Sequence, residues 1–490
     1  MSVDTLRETF HINRISTSDL QDFLTAQTYR PEITQAKNHI LSLKNCSLQA
    51  VCTKPIQQGK SPKYAEKGLK CIKPKNTNDM LVSIDDIDWI DSSTKDQIQK
   101  QKLAYGDIVI TRSGSGTIGR ASIYCYSEEA YTNDHLFVVR PDKADSHYIC
   151  SFLNSFHGQR LLEAGVSGST GQLNLSNEHI KSIPLFRPEH KAQKYIGDKV
   201  RQAEQLRAWA KRLEGMADRK IKDLFHFNLV DSLTLKPRRM KQQVLSAVSL
   251  APEFARAADS QMTFRNSSKL SNFISKCKCG DPIKSEERVP GPYFYYGASG
   301  PIDTHTEFNF NGKYLIIAQD GSIGRANVAD GKFWANNHVW VLKVKDEYDI
   351  ESICRFLDKH FPCWKGVTTG SVVPKVTSEN LLNILIPIDI AKNREIGSKL
   401  RLAVTTAAYA KKLTASAKTL VESLIEGQLT EQQLIQAQQA LEDGDNSFDQ
   451  AILSKLSAEG YAIEGATPLF SDVDELYSLL EEAAQAEAEE

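Results

Sequence analysis

The sequence predicts an α+β protein in which one module occurs twice, each copy being a β-rich domain followed by a long helix. Three observations predict this. Residues 195–224 align with 395–424 without a gap, and eleven of those thirty positions are identical. The segments upstream carry the same landmarks in the same order. Both aligned segments also space their apolar residues by threes and fours, as helices do.

Short runs of branched aliphatic residues predict the strands of each β-rich domain. Residues 106–111 (GDIVIT) and 313–318 (KYLIIA) are such runs, and each leads into a glycine-containing turn. The sequences that follow correspond in pairs: GTIGRA (116–121) with GSIGRA (321–326), and TNDHLFVV (132–139) with ANNHVWVL (335–342). Because strand follows strand in both copies, we expect a repeated β-hairpin.

The aligned segments 195–224 and 395–424 have the patterning of coiled-coil helices. Their apolar stripes begin with Ile196, Val200 and Ala203 in the first copy and with Ile396, Leu400 and Ala403 in the second. Such a stripe needs a partner helix, so we expect the two helices to pair over roughly 45 Å. The alternative is that each helix packs onto its own domain.

Composition and charge narrow the class of protein. The 490 residues carry a net charge of −1, but residues 426–490 hold 16 acidic side chains and one basic one. The remainder therefore carries +14, which can attract a polyanion. The first residues lack the features of a secretory signal, no apolar run is long enough to cross a membrane, and the nine cysteines are scattered. We expect a cytoplasmic protein without disulfides, a membrane span or a metal site.

The repeat sets the domain boundaries. We predict a first β-rich domain over 1–188 with its helix over 189–228, and a second β-rich domain over 229–388 with its helix over 389–427. An acidic tail occupies 428–490.

One motif imitates a nucleotide-binding loop. Gly114, Gly116 and Gly119 spell GxGxxG after a strand. A dinucleotide site needs this turn to open a helix, whereas the residues after Arg120 have the composition of a strand. The second copy has Gln319 where the first glycine would fall. We therefore predict a tight β-turn.

Two histidines occupy equivalent places. His135 and His338 each end an Asn-x-His segment, but neither sits in a recognisable nucleophile or metal arrangement. We predict that these segments hydrogen-bond backbone groups. The sequence also contains no GxxxxGK[ST] phosphate loop, no Asn/Asp-Pro-Pro-aromatic tetrapeptide and no HExxH.

This order of features resembles the specificity subunits of type I restriction–modification enzymes over residues 45–425. The resemblance rests on GKSPKYAEKGLKCIKP (59–74), GDIVITRSGSGTIGRA (106–121), GQLNLSNEHIKSIPLFRP (171–188) and AQKYI (192–196) in the first copy. In the second copy it rests on YYGASGPI (295–302), DGSIGRA (320–326), NNHVWVL (336–342) and NLLNILIPI (380–388).

The resemblance implies a division of labour. Each β-rich domain would be a target-recognition domain that reads one half of a split target in double-stranded DNA. The two helices would pack antiparallel as a coiled-coil spacer and dock two methyltransferase subunits. A nuclease-translocase subunit would join this complex. The chain itself would not be an enzyme and would bind no cofactor, because S-adenosylmethionine belongs to the methyltransferase subunits.

Polar and basic loop residues are the candidate DNA contacts, since such side chains reach phosphates and base edges. In the first copy they are Lys60, Ser61, Lys63, Tyr64, Arg112, Ser113, Arg120, Thr170 and Gln172. In the second copy they are Lys284, Tyr296, Ser299, Gln319, Arg325, Lys365 and Lys375. Arg120 and Arg325 are equivalent, so we expect them to hold phosphates or the fold rather than to specify bases.

Three alternatives stay open. The acidic tail has no counterpart in the family pattern. It docks on a basic surface of a partner, competes with DNA for the basic surface of this chain, or is a disordered, solubilising end. The whole chain could be a scaffold whose two heads bind proteins. It could also be a nuclease or methyltransferase with an unrecognised site.

Overall fold

The computed structural model describes residues 17, 26–114, 116–168, 173–224, 266–359, 367–369 and 374–489. The chain forms two compact units. The first comprises Met1–Trp209 with Thr406–Glu490, and the second comprises Ala210–Thr405. Each unit contains one β-rich domain and parts of both long helices.

The first β-rich domain contains twelve strands within the described ranges. They are β1 (Asn45–Ser47), β2 (Gln57–Gln58), β3 (Tyr64–Ala65), β4 (Leu69–Ile72), β5 (Asp88–Ile90), β6 (Ile108–Thr111), β7 (Ala121–Ile123), β8 (Ala130–Thr132), β9 (Leu136–Val139), β10 (Val166–Ser167), β11 (Asn174–Leu175) and β12 (Pro184–Phe186).

Helices surround these strands. The α-helices are α1 (Pro31–Ser42), α2 (Ser146–Asn154), α3 (Phe156–Ala164), α4 (Asn177–Ser182) and the long α5 (His190–Leu224). Short 3-10 helices span Ala26–Tyr29, Leu48–Val51, Pro74–Asn76 and Ser92–Gln101. Two four-stranded sheets result, in the orders β2-β9-β6-β7 and β3-β5-β4-β8.

The second β-rich domain also contains twelve described strands. They are β13 (Ser267–Lys269), β14 (Ile274–Cys279), β15 (Tyr293–Gly297), β16 (Gly300–His305), β17 (Phe310–Asn311), β18 (Tyr314–Ala318), β19 (Ala326–Ala329), β20 (Lys332–Ala335), β21 (Val339–Val344), β22 (Thr368–Thr369), β23 (Lys375–Val376) and β24 (Leu385–Pro387). Its helices are α6 (Leu270–Phe273), α7 (Ile350–Lys359), α8 (Ser378–Leu382), α9 (Ile388–Ala391) and the long α10 (Arg394–Ile425), with a 3-10 helix over Ser285–Glu287.

Sheet topology confirms the duplication. The sheet β14-β21-β18-β19 repeats the order β2-β9-β6-β7, and the small pairs β1-β12 and β10-β11 return as β13-β24 and β22-β23. The other four-stranded sheet of each domain contains one parallel pair, β4 with β8 in the first domain and β15 with β20 in the second. The remaining strands of these two sheets are arranged differently. The two domains therefore share a frame and diverge at one sheet.

The central strands form because their residues favour burial on both faces. All four residues of β6 and all four of β9 are buried, so these strands read as continuous apolar runs rather than alternating ones. Val109, Leu136 and Val138 pack with Tyr124 in one cluster of the first domain. In the second domain Leu315, Ile317 and Leu342 join a larger core that includes α7 and both long helices.

Identical residues of the two long helices clamp each helix to its own domain. Asp145 caps α2 by accepting from the backbone N–H of His147 at 2.9 Å, and its other oxygen binds Arg201 of α5 at 2.6 Å. Asp349 does the same, capping α7 through Ser352 N at 2.9 Å and binding Arg401 of α10 at 2.9 Å. The shared arginines thus have a structural explanation.

The long helices also pair with each other. Near the end of α5, Ala217 and Ile221 pack in one core cluster with Ile396 and Leu400 near the start of α10. Lys220 and Glu395 form an ion pair of 3.5 Å at the same place. Since the end of one helix lies against the start of the other, the pairing is antiparallel, as the sequence resemblance predicted.

The acidic segment after α10 is folded, so among the alternatives left open the disordered end is wrong. It forms α11 (Glu431–Glu442), α12 (Ser447–Leu453), β25 (Leu456–Ser457), β26 (Gly460–Tyr461) and α13 (Val473–Ala488). Leu434, Leu453, Phe470 and Leu476 are buried. These buried apolar residues contribute to the core of the first unit. The many acidic residues around them made the segment's average composition look unfolded.

Within the described ranges, no helix combines the length and the apolar character that crossing a membrane requires. The eight cysteines described by the structure are all free.

Candidate nucleic-acid interface

Three chain segments meet at one point in each β-rich domain. In the first domain the backbone N–H of Arg112 donates to the carbonyl of His135 at 2.8 Å, and Leu175 N donates to the carbonyl of Arg112 at 2.9 Å. In the second, Gln319 N donates to His338 O at 2.8 Å and Val376 N donates to Gln319 O at 2.8 Å. We call each meeting point the three-segment site. It comprises residues 112–113, 133–135 and 174–175 in the first domain and residues 319–320, 336–338 and 375–376 in the second.

The Asn-x-His segments form matching turns in the two sites. Asn133 Oδ1 accepts from the backbone N–H of His135 at 3.1 Å, and Asn336 Oδ1 accepts from that of His338 at 2.9 Å. The predicted backbone role is therefore confirmed for these segments. The imidazoles are exposed, and each faces the hairpin: His135 Nδ1 lies 2.6 Å from Ser113 Oγ, and His338 Nδ1 lies 2.9 Å from Asp320 Oδ1.

Close backbone packing holds the frame together. A Cβ atom at Gly59 would lie 2.3 Å from the carbonyl oxygen of Asn133, and one at Gly280 would lie 2.2 Å from that of Asn336. No side chain fits at such distances, so glycine is required at both places. Lys60 follows Gly59 directly, and its backbone is fixed by Gln101, whose amide accepts from Lys60 N at 2.8 Å and donates to Lys60 O at 3.0 Å.

The side chains on this common frame differ between the copies. Arg112 stands where the second copy has Gln319, Ser113 where it has Asp320, and Asn174 where it has Lys375. This equivalence follows from the strand registers and from the isolated bridges Ser113–Asn174 and Asp320–Lys375. It corrects the sequence alignment, which placed Gln319 opposite Gly114. In the second copy, Lys375 Nζ lies 3.9 Å from Asp320 Oδ2, and His338 Nδ1 lies 3.0 Å from the same oxygen.

These side chains offer different hydrogen-bonding patterns to a base edge. Arginine pairs with guanine, the amides of asparagine and glutamine pair with adenine, and a carboxylate accepts from cytosine. The structure thus brings together the predicted residues Arg112 and Ser113, and likewise Gln319 and Lys375. It adds Asn174 and Asp320, which sequence reasoning missed, although both stand beside repeat landmarks at positions where the copies differ.

As predicted, the GxGxxG segment lies in the connection between two strands and opens no helix. It joins the antiparallel strands β6 and β7, in which Ile110 pairs with Ala121. Gly116 and Gly119 have φ values of 70° and 82°, a left-handed conformation that favours glycine. A strand rather than a helix follows, so the geometry of a dinucleotide site is missing from this hairpin.

The predicted cluster at 60–64 lies on the surface of the first domain. The side chains of Lys60 and Ser61 are exposed, while Lys63 pairs with Asp91 at 3.0 Å. A backbone N–H from Ser93 and the Lys63 ammonium lower the pKa of Asp91 to about 2. Tyr64 is 44% exposed, and Lys73 Nζ lies 4.0 Å from its ring centroid. The ring therefore has room to contact a ligand.

The equivalent arginines have different surroundings. Arg120 donates to Asn78 Oδ1 at 2.7 Å and to Gly116 O at 3.1 Å, so its guanidinium ties the hairpin to a neighbouring loop. Arg325 is 64% exposed and lies 3.7 Å from Asp358. These contacts favour the structural role for Arg120, one of the two roles expected for this pair.

The remaining described candidates of the second copy are either exposed or buried. Lys284 is exposed beside Glu287, and Ser299 is exposed in the turn between β15 and β16. Tyr296 is only 8% exposed and packs on Phe333, so its prediction as a DNA contact is corrected: the ring belongs to the core. Thr170, Gln172 and Lys365 lie outside the described residues.

Comparisons with known proteins agree with this architecture. The family model described as type I restriction modification DNA specificity domain matches residues 44–211 and again 266–414. A Haemophilus influenzae protein described as a type I restriction enzyme specificity subunit is 31% identical over 133 residues, which are 26% of this chain and 34% of that protein. The chain thus spans about a third of the length of this curated relative.

Among solved structures, two S subunits match this chain with low sequence identity and low TM-scores. The type I restriction–modification S subunit from M. genitalium has 15% sequence identity and a TM-score of 0.42, over 79% of this chain and 96% of that one. The HsdS subunit from Thermoanaerobacter tengcongensis has 13% identity and a TM-score of 0.27, over 79% and 97%. The two family matches together cover more than half of the 490 residues, one for each β-rich domain with its helix. The chain therefore belongs to the type I restriction modification DNA specificity domain family.

Proposed function

We propose that this chain is the DNA sequence-recognition subunit of a type I restriction–modification or related methyltransferase complex. Each β-rich domain reads one half of a bipartite target in double-stranded DNA. The observation that carries this proposal is the three-segment site, in which one backbone frame presents Arg112, Ser113 and Asn174 in one copy and Gln319, Asp320 and Lys375 in the other.

A fixed frame with variable side chains suits the reading of two different sequences. Phosphate contacts position a protein on DNA, whereas side chains at base edges specify the sequence. Backbone hydrogen bonds and one required glycine in each copy hold the frame in place. The charge of +14 outside the acidic segment supplies attraction to DNA that carries no sequence preference.

The long helices are the proposed docking surface for two methyltransferase subunits. Most identical positions on them are buried or engaged, such as Arg201 and Arg401. Ala208 with Ala408 and Lys211 with Lys411 are identical pairs that are exposed. Internal packing does not require an exposed alanine at both 208 and 408, so a shared partner surface is our interpretation. S-adenosylmethionine would then bind to the partners, and a nuclease-translocase subunit would join for restriction.

Methylome sequencing of cells with and without this gene tests the proposal. We expect adenine methylation at one split motif to disappear when the gene is deleted and to return with the intact gene. An unchanged methylome in a strain that carries the partner methyltransferase would contradict the proposed function.

Two rival functions predict other results. A stand-alone methyltransferase would transfer methyl groups from S-adenosylmethionine to DNA as the purified chain, which we expect to be inactive alone. A protein-binding scaffold would show no preferred motif in selection from random DNA, and its binding would depend little on salt.

A further inference from the structure

Two histidines and a glutamate from distant parts of the sequence converge in the first unit. His39 lies on α1, His157 lies on α3, and Glu426 follows the last residue of α10. His157 Nε2 is 3.1 Å and His39 Nδ1 is 3.9 Å from the same oxygen, Glu426 Oε1. The three potential ligand atoms all lie within 4.8 Å of one another.

Neighbouring contacts fix this arrangement. The backbone N–H of Phe156, the first residue of α3, donates to Glu422 Oε1 on α10 at 2.6 Å. This bond holds the start of α3 against the end of α10, one turn before Glu426. The rings of His39 and His157 meet edge to face with centroids 5.5 Å apart. The convergence therefore results from packed helices rather than from a free surface loop.

His157 is the buried member of this cluster, and its Nε2 atom faces Glu426. Its side chain is 5% exposed, and its Nδ1 atom has no hydrogen-bond partner among the described residues. Packing therefore holds the ring with Nε2 towards Glu426, where a ligand atom of a metal site would have to lie.

A second cluster in the same unit provides the contrast. His147 Nε2 lies 2.6 Å and Cys125 Sγ lies 2.8 Å from Glu204 Oε1, and Tyr105 donates to Glu204 Oε2 at 2.9 Å. These are hydrogen-bond distances, and the glutamate is saturated by its donors. In a tetrahedral zinc site, ligand atoms about 2.0–2.1 Å from the metal lie about 3.3 Å apart. The distances from Glu426 Oε1 to His157 Nε2 and His39 Nδ1, 3.1 and 3.9 Å, are closer to that spacing than the distances at Glu204.

We propose that His39, His157 and Glu426 form a binding site for a divalent transition metal, with zinc as the ion that fits this donor set best. Two imidazoles and one carboxylate are a known zinc ligand set that leaves the fourth position to water. His39 and Glu426 are 37% and 46% exposed, so an ion can enter from solvent. A bound ion joins the start of the first β-rich domain to the end of the second long helix. This inference is independent of the proposed DNA recognition.

The test is metal binding by the full chain without an affinity tag of histidines. Chelator-treated protein is titrated with Zn²⁺ by calorimetry, and the metal content after gel filtration is measured by plasma mass spectrometry. We expect one ion per chain for the wild type and a loss of affinity of at least tenfold in His157→Gln and His39→Gln. Cys125→Ser, in the contrasting cluster, should bind like the wild type.

Thermal unfolding separates lost binding from lost folding. His39 is partly exposed, so His39→Gln should keep the wild-type melting temperature without metal, and only the wild type should gain stability on adding zinc. The proposal is overturned if the wild type binds no zinc stoichiometrically. It is equally overturned if zinc binding survives in both histidine variants or disappears in Cys125→Ser.

Discussion

Lys199 of the first long helix and Asp449 of the acidic segment form an ion pair of 2.7 Å whose side chains are 0% and 1% exposed. Tyr195 and Tyr477 each donate a hydroxyl hydrogen bond of 2.5 Å to the same carboxylate. The carboxylate is thus saturated by three donors in a site closed to water. This network attaches the acidic segment to the start of α5.

Removing the carboxylate should unfold this attachment. Asp449→Ala leaves the Lys199 ammonium buried without its counter-charge, and we expect a loss of about 3–5 kcal/mol in the free energy of unfolding. Urea denaturation measures this loss of stability. Asp474→Asn, an exposed carboxylate in α13, is the matched control and should lie within about 0.5 kcal/mol of the wild type. Equal stability of the two variants would contradict a structural role for the network.

The acidic segment can be tested for competition with DNA without removing it. Glu481 and Glu482 are exposed on α13, so Glu481→Gln with Glu482→Gln should leave stability unchanged. If the segment competes with DNA, as we predict, this double variant binds DNA more tightly at low salt, and the difference shrinks as salt screens the charges. Fluorescence anisotropy over a salt series provides the measurement. Identical affinities at low salt would rule out the competition.

Glycine at position 59 is required by its close approach to Asn133. We expect Gly59→Ala to destabilise the first unit by about 1–3 kcal/mol, because the new methyl group must displace backbone. Gly215 in α5 is the control: a Cβ there meets no atom within 4 Å. Gly215→Ala should therefore stabilise the helix by about 0.5–1 kcal/mol. Chemical denaturation of both variants measures these changes. An unchanged free energy of unfolding in Gly59→Ala would contradict the close packing of Gly59 against Asn133.

Glu129 should give a pH-dependent contribution to stability. Hydrogen bonds from Lys95, Lys102 and Tyr131 lower its pKa to about 2. A depressed folded-state pKa means that the stabilisation is complete above the unfolded value of about 4.3 and is lost as the pH falls towards 2. The difference in stability between wild type and Glu129→Gln should be constant from pH 7 to about pH 5 and shrink below that. A difference that grows on acidification would contradict this assignment.

Local patterns in the sequence predicted the parts of the fold that depend on neighbouring residues. The hairpin at Gly116–Ala121 and the Asn133 turn are of this kind, because each is closed by bonds within a few residues or between adjacent strands. Tyr296 shows where such reasoning fails. A break in strand register between Tyr295 and Tyr296 puts both rings in the interior, so the alternation of faces that sequence reading assumes does not hold.

Long-range pairs were beyond the sequence for a different reason. His39, His157 and Glu426 have no spacing that marks them as neighbours, and Lys199 and Asp449 lie 250 residues apart. Only the packing of helices brings these groups together. Likewise, Asn174 and Asp320 became candidates for base contacts once the strand registers aligned the two sites.

Copy-specific substitutions test the central claim, that each three-segment site reads one half of the target. The bound motif is determined by selection from random DNA, with the partner subunits present, for the wild type, Arg112→Gln and Asp320→Asn. Lys269→Ala, an exposed lysine on β13 outside the site, serves as the control and should keep the whole motif. The account predicts that Arg112→Gln changes one half of the motif and Asp320→Asn the other. A motif unchanged in both variants, or altered in the same half by both, would contradict it.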